Sequence, residues 1–158
     1  MLEEARALVA AGHRELVLTG THLGLYGQDL PGGPDLAGLL RKLSDLPGLV
    51  RLRLSSIEPL EVTPALIELM AASPVFCPHL HIPLQSGDDR TLARMGRRYT
   101  TAQYAAVIEN IRRAVPEAGI YTDIMVGFPG EDEGAFERSY RFVESIGFAG
   151  LHVFKYSP

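Results

Sequence analysis

The chain has 158 residues, 46% of them apolar, and a formal net charge of −4. These figures describe one packed domain rather than a disordered segment, and they exclude a broadly basic nucleic-acid binder, so any nucleic-acid contact must come from a local patch. The single cysteine, Cys77, excludes a disulfide framework, a structural zinc or an iron–sulfur cluster held by this chain alone. No apolar run approaches the roughly 20 residues that span a bilayer. The start, Met1-Leu2-Glu3-Glu4, is no signal peptide, and the expectation is a soluble, cytoplasmic protein without membrane contact.

Residues 2–11 read as a helix closed by Gly12, and Glu15–Thr19 as a short buried strand. A glycine-rich loop follows, Gly24 to Pro34. Asp35 then caps a helix to about Leu46. Leu49–Ser55 is the second strand. Thr63-Pro64 is an N-cap with proline at the first helical position, opening a helix to Ala72. Leu80–Gln85 is the third strand, followed by helical patterning over Asp88–Met95 and Thr101–Val115, the latter with Tyr104, Val107, Ile108 and Ile111 on one face. Ile120–Val126 is a very apolar fourth strand. Asp132–Ile146 is a helix with Phe136, Tyr140 and Val143 on one side, and Leu151–Phe154 is the fifth strand.

Strand–helix alternation predicts an α/β fold with a parallel sheet and right-handed crossovers. The sheet either lies flat and doubly wound or curls into a barrel. Polar groups gather at the C-terminal end of nearly every strand: Thr19-Gly20-Thr21, Ser55-Ser56-Glu58, Gln85-Ser86, Asp123 and Lys155-Tyr156-Ser157. That distribution favours a TIM-like barrel, whose active site lies at that end, over a flat sheet with a single switch point. A full eight-fold barrel needs about 250 residues, so this is a partial one.

The densest polar stretch is "LHIPLQSGDDRTLARMGRRYT", residues 80–100. Strict alternation would put His79, His81, Pro83 and Gln85 on one face, with Gln85 at the lumen rim. Gln85-Ser86-Gly87-Asp88 reads equally as a turn and helix cap. Arg97 is suited to a carboxylate, although Arg94, Arg97 and Arg98 also suit a solvated helix end. Asp123 sits within a buried strand and needs a partner there, either a ligand such as a ribose or a neighbouring strand. In "VGFPGE", Val126 to Glu131, the glycines allow close approach of a flat ligand and Phe128 can stack on it; a plain strand–turn–helix connection has the same composition. Glu58 in "SSIEP" can take an ammonium group or a basic side chain. His79 and His81 share a face but lack a carboxylate nearby in sequence, so no metal is assigned to them, and no residue is assigned a catalytic role. Arg51 and Arg53 share a strand face without an evident purpose.

In this order, "LVLTGTHLGLYG", "RLRLSSIEP", "LHIPLQSGDDRTLARMGRRYT", "TDIMVGFPGE" and "LHVFKYSP" resemble the radical S-adenosylmethionine methylthiotransferases over essentially the whole chain. "LTGTHLGLYG" with "RLSSIEP" and "HVFKYSP" is most similar to the branch acting on threonylcarbamoyladenosine in tRNA. The resemblance implies a partial barrel of six βα units, of which this chain holds five strands. Around it the family carries an N-terminal cluster domain and a C-terminal RNA-binding domain. It also implies S-adenosylmethionine and 4Fe–4S clusters as cofactors, tRNA as partner, and a methylthio group placed on adenine. By position, Thr19-Gly20-Thr21 match the loop at the methionyl amino group, where Glu58 assists. Gln85, with Ser86 beside it, and Asp123 match ribose-binding positions. Arg97 matches the arginine that pairs with the methionyl carboxylate, while Val126, Gly127 and Phe128 match the segment against adenine, closed by Val153–Tyr156.

The chain departs from the family in lacking the CxxxCxxC loop, the first barrel strand and both flanking domains. Residues 1–158 therefore read as the central part of the barrel, inactive alone, with open edges that invite self-association. The alternatives are a methylthiotransferase of the isopentenyladenosine or ribosomal-protein branch, a non-catalytic nucleoside-binding fragment, and an unrelated sugar-phosphate barrel.

Overall fold

The computed structural model describes residues 1–158 except Leu30, Pro31, Pro34 and Pro158. The expected loop Gly24–Pro34 and the end of the "LHVFKYSP" segment therefore lie partly outside the described residues. Five strands, β1 (Glu15–Leu18), β2 (Arg51–Leu54), β3 (His79–His81), β4 (Gly119–Val126) and β5 (Gly150–Lys155), alternate with the helices α1 (Leu2–Ala10), α2 (Leu36–Ser44), α3 (Pro64–Ala72), α4 (Asp89–Arg94), α5 (Thr101–Ala114) and α6 (Glu133–Ile146). Single 3-10 turns at Leu23–Leu25 and Pro59–Glu61 are additional to the sequence reading.

All pairings are parallel. β1 pairs β2, and β3 pairs β4, which pairs β5. The bridges Leu52↔Phe76 and Ser56↔His81 join the two ladders. The strand order is the chain order, with no reversal. A doubly wound sheet reverses at its switch point; an arc of barrel does not, and its crossovers put every helix on one face. Between that face and the helices lies the core, with Leu52, Leu54, Leu80, Ile82, Leu84, Tyr104, Ile108 and Ile120 almost fully enclosed. The opposite, concave face carries Arg51, Arg53, His79, His81, Tyr121 and Asp123, as the alternating burial of β2, β3 and β4 shows.

Side-chain caps begin most helices. Asp35 accepts from the Gly38 N–H at 2.7 Å, Thr63 from Leu66, and Asp132 from Ala135. Thr100 and Gln103 form a reciprocal capping box, which satisfies two otherwise orphaned N–H groups. α6 differs from its expected orientation. It buries Ala135, Ser139 and Ile146 and leaves Phe136 and Tyr140 exposed, because Gly87 packs along the other stripe, against Ser139 and Phe142.

The third strand is shorter than expected. The ladder stops at His81, since Pro83 has no N–H to donate. The buried backbone that follows is satisfied by side chains. The Thr122 hydroxyl accepts from the Leu84 N–H and donates to the Ile82 carbonyl, each at 2.9 Å. The Tyr104 hydroxyl donates to the same carbonyl at 2.7 Å, and Tyr99 reaches the Pro83 and Leu84 carbonyls at 3.2 and 3.0 Å. Thr122→Val keeps the shape and orphans the Leu84 N–H. It is expected to lower stability by about 2 kcal/mol, read as a shift in the urea unfolding midpoint.

Candidate functional site

The C-terminal rim of the arc is built mainly by the turn after β3. Much of that turn is internal scaffolding. Ser86 is fully buried, and its Oγ accepts from the Asp88 N–H at 3.2 Å, so its side chain does not face a ligand. Gly87 lies against α6, its N–H donating to Ser139 Oγ at 2.8 Å. Asp88 caps α4, accepting from the Thr91 N–H and hydroxyl at 2.9 Å each and from Arg138 Nε at 2.7 Å. Burial alone would push the Asp88 carboxyl up, but the bonds from Arg138 and Thr91 outweigh it and hold the pKa below its ordinary value. A depressed carboxylate stabilises the folded state above its unfolded pKa and loses that contribution as it protonates. Stability is therefore expected to fall as the pH drops below about 4, and less steeply in Asp88→Asn, as acid titrations of the unfolding midpoint will read.

Gln85 is the part of the turn that reaches the rim. Among the described residues it is the one non-glycine with positive φ, at 68°. Its backbone brackets β4, the N–H donating to the Asp123 carbonyl at 2.7 Å and its own carbonyl accepting from Met125 at 2.8 Å. Few L-residues adopt this conformation, which costs of order 1–3 kcal/mol. The Gln85 backbone is thereby held against β4, opposite Ile124.

Arg97 and Glu58 meet across the rim. Arg97 Nη1 lies 3.1 and 3.4 Å from the two Glu58 oxygens, and each side chain is 30% exposed. They line a cleft of about 610 Å³ with His22, Gln28, Glu61 and Arg98. Glu61 contacts His22 Nδ1 at 3.3 Å and accepts the Gly24 N–H at 3.1 Å. Arg94 is tied elsewhere, donating to the Gly130 carbonyl at 2.6 Å, whereas Arg98 has no polar partner among the described residues. Thr19, Gly20 and Thr21 are exposed. Thr19 lines a separate, apolar cavity with α1 and α2, so the structure does not bring it into the Glu58–Arg97 cleft.

Asp123 is engaged from both neighbouring strands. Its Oδ1 lies 3.0 Å from His81 Nε2 of β3 and 3.0 Å from His152 Nδ1 of β5, and Ser56 Oγ lies 2.9 Å from His81 Nδ1. Sequence reasoning missed both imidazoles: it set His81 aside for want of a nearby carboxylate, and the carboxylate comes from the next strand. Within the described residues, His81, Asp123 and His152 are the one group of possible metal ligands with donor atoms all within 4.8 Å of one another. His79 lies at the other end of β3 against Tyr121, ring centroids 5.0 Å apart. Its Nδ1 is buried without a partner, and burial holds its pKa below the usual imidazole value. Arg51 and Arg53, which the sequence left unexplained, both pair with Glu15 across β1–β2, at 2.7 and 3.2 Å.

Beyond Asp123, β4 ends at Val126 and turns at Gly127, whose φ is 74° and whose Cα has open space beside it. The Gly127 N–H donates to Glu131 Oε2. Phe128 and Tyr156 meet edge to face, centroids 5.3 Å apart, and the Tyr156 N–H donates to the Val126 carbonyl at 2.9 Å. The rim thus offers an acid and a guanidinium together, the Asp123 carboxylate on the concave face, and an aromatic pair at a glycine turn. That donor set matches an amino acid joined to a ribose and a flat base. An iron–sulfur cluster does not fit the residues present: Cys77 is the single cysteine and precedes β3, at the opposite end of the arc.

The family model of the Radical SAM superfamily matches residues 1–143. The chain is 42% identical over 156 residues to a Thermotoga maritima protein named threonylcarbamoyladenosine tRNA methylthiotransferase, covering 99% of this chain and 36% of that protein. It is 44% identical over 155 residues to a tRNA-2-methylthio-N(6)-dimethylallyladenosine synthase of Dehalococcoides mccartyi, covering 98% of this chain and 37% of that protein. Among solved structures it is similar to coproporphyrinogen III oxidase of Escherichia coli, described as a radical SAM enzyme, with a TM-score of 0.70 at 14% identity over 99% of this chain and 36% of that one. This last likeness concerns the fold. The chain spans about a third of the length of the curated relatives it matches. No helix among the described residues is long and apolar enough to cross a membrane.

Proposed function

Because the chain belongs to the Radical SAM superfamily, we propose that its rim binds S-adenosylmethionine and that the native-length protein attaches a methylthio group to the adenine of threonylcarbamoyladenosine in tRNA. Glu58 takes the methionyl ammonium and Arg97 the carboxylate, while Thr19, in its separate cavity, takes no part. Gln85 and Asp123 receive the ribose hydroxyls. Val126, Gly127 and Phe128, with Tyr156, flank the adenine, and Ser86 holds the turn from which Gln85 projects. When bound beside a 4Fe–4S cluster, S-adenosylmethionine supplies radical chemistry that activates a C–H bond. The cluster's ligands are not in this chain, which by itself does not cleave the cofactor.

The observation that carries this reading is the pairing of Glu58, in the loop after β2, with Arg97. In the free site the two charged groups neutralise each other, and a zwitterionic amino acid replaces that pair with two. The choice between tRNA branches rests on the resemblance of "LTGTHLGLYG", "RLSSIEP" and "HVFKYSP" to the branch acting on threonylcarbamoyladenosine. The test is the native-length protein, purified without oxygen and given reductant, S-adenosylmethionine and tRNA of each kind. A methylthio product on threonylcarbamoyladenosine is expected. Product on the dimethylallyl tRNA alone assigns the other branch, and binding without product leaves only the nucleoside-binding function.

A further inference from the structure

With His81 neutral, the contacts around Asp123 have one assignment of protons that satisfies all of them. An ionised carboxylate only accepts, so the two nitrogens that face Oδ1 both carry hydrogen: His81 Nε2 and His152 Nδ1, each at 3.0 Å. In a neutral His81 ring, Nδ1 then has a lone pair, and the Ser56 hydroxyl at 2.9 Å donates to it. Every donor has an acceptor, and no cation is needed to hold the three groups together. Two donors from opposite sides fix the carboxylate plane, because turning it would break both bonds. Oδ2 makes no hydrogen bond within the described residues. The Asp123 side chain is 19% exposed, on the concave face, and its backbone carbonyl accepts from the Gln85 N–H.

We propose that His81 and His152 are positioning residues for a ribose: they clamp Asp123 from the strands on either side, occupy Oδ1, and present Oδ2 alone to the vicinal diol of a nucleoside. This inference rests on the reading of the rim as a nucleoside site. It adds a residue from each flanking strand that does not itself touch the ligand. The arrangement depends on register: β4 and β5 pair with Asp123 opposite His152, and a slip by one residue would turn His152 to the other face.

Nucleoside binding in the native-length protein tests it, using 5′-methylthioadenosine and its 2′-deoxy analogue in titration calorimetry. The unaltered protein is expected to prefer the ribonucleoside. His152→Leu is expected to weaken ribonucleoside binding about tenfold, the lower end for a hydrogen bond to a charged group, with little change for the deoxy analogue, so that the preference collapses. His152→Asn keeps a donor at the Nδ1 position and is expected to restore most of it; His81→Gln, with a donor at the Nε2 position, should likewise stay close to the unaltered protein. His152 is an exposed residue of the edge strand β5, so folding of its variants is checked simply by thermal melting. If the preference survives His152→Leu unchanged, the clamp is overturned while the nucleoside reading stands. If the unaltered protein binds neither nucleoside, both fall. The same three side chains form a two-imidazole, one-carboxylate set for a divalent ion. Stoichiometric Zn²⁺ binding that requires both histidines and excludes the nucleoside would overturn the clamp in favour of a metal site.

Discussion

Gly87→Ala is expected to cost the protein about 3 kcal/mol of stability, at the upper end for overpacking a close contact. A Cβ built at Gly87 lies 2.7 Å from Phe142 Cβ and 2.8 Å from both Cα and the carbonyl oxygen of Ser139. Two of those three atoms are backbone of α6, so relief requires the helix to move. Movement of α6 also breaks the Gly87 N–H bond to Ser139 Oγ and loosens Arg138 from Asp88. Gly96→Ala is the comparison. Gly96 has φ 71° and nothing within 4 Å of the added carbon, so its cost is conformational, about 1 kcal/mol. Urea unfolding of both variants decides the matter: if Gly87→Ala is no worse than Gly96→Ala, the turn and α6 are not rigidly joined.

Arg97→Leu is expected to weaken S-adenosylmethionine binding by about 10- to 100-fold, the scale of a partly exposed charge-assisted hydrogen bond. Binding of 5′-methylthioadenosine, which lacks the amino-acid carboxylate, should stay within about twofold. The contrast between the two ligands separates recognition from simple damage to the rim, since such damage is common to both titrations. Arg97→Lys is not expected to rescue fully, because an ammonium lacks the planar fork. Equal losses for both ligands would mean that Arg97 acts by holding Glu58 and the α4 end in place, not by meeting a carboxylate.

Much of this architecture was legible from local signals. The span Pro64–Ala72 follows from its Thr-Pro start, and the cap at Asp35 from a side chain that competes for backbone N–H groups. The strands were found to within a few residues as apolar runs. What escaped was set by contacts distant in sequence. His81 and His152 pair with Asp123 across 42 and 29 positions, and only the β3–β4–β5 register brings them together. Glu15 was invisible as the partner of Arg51 and Arg53 for the same reason. The face of α6 was misjudged because Phe136 and Tyr140 are large and apolar, while the buried stripe is chosen by Gly87, a residue with no side chain to signal it. Ser86 looked like a ligand contact because a buried turn and a binding loop use the same residue types.

The left-handed backbone of Gln85 sets stability against function. Any residue other than glycine is disfavoured there, so Gln85→Gly should make the protein harder to unfold by about 1 kcal/mol while deleting the amide from the rim. Selection for thermal robustness alone would favour the change, and selection for ligand recognition would oppose it. A stabilised variant that tolerates heat yet has lost its preference for nucleosides would be the sign that this one torsion was held against the interest of the fold.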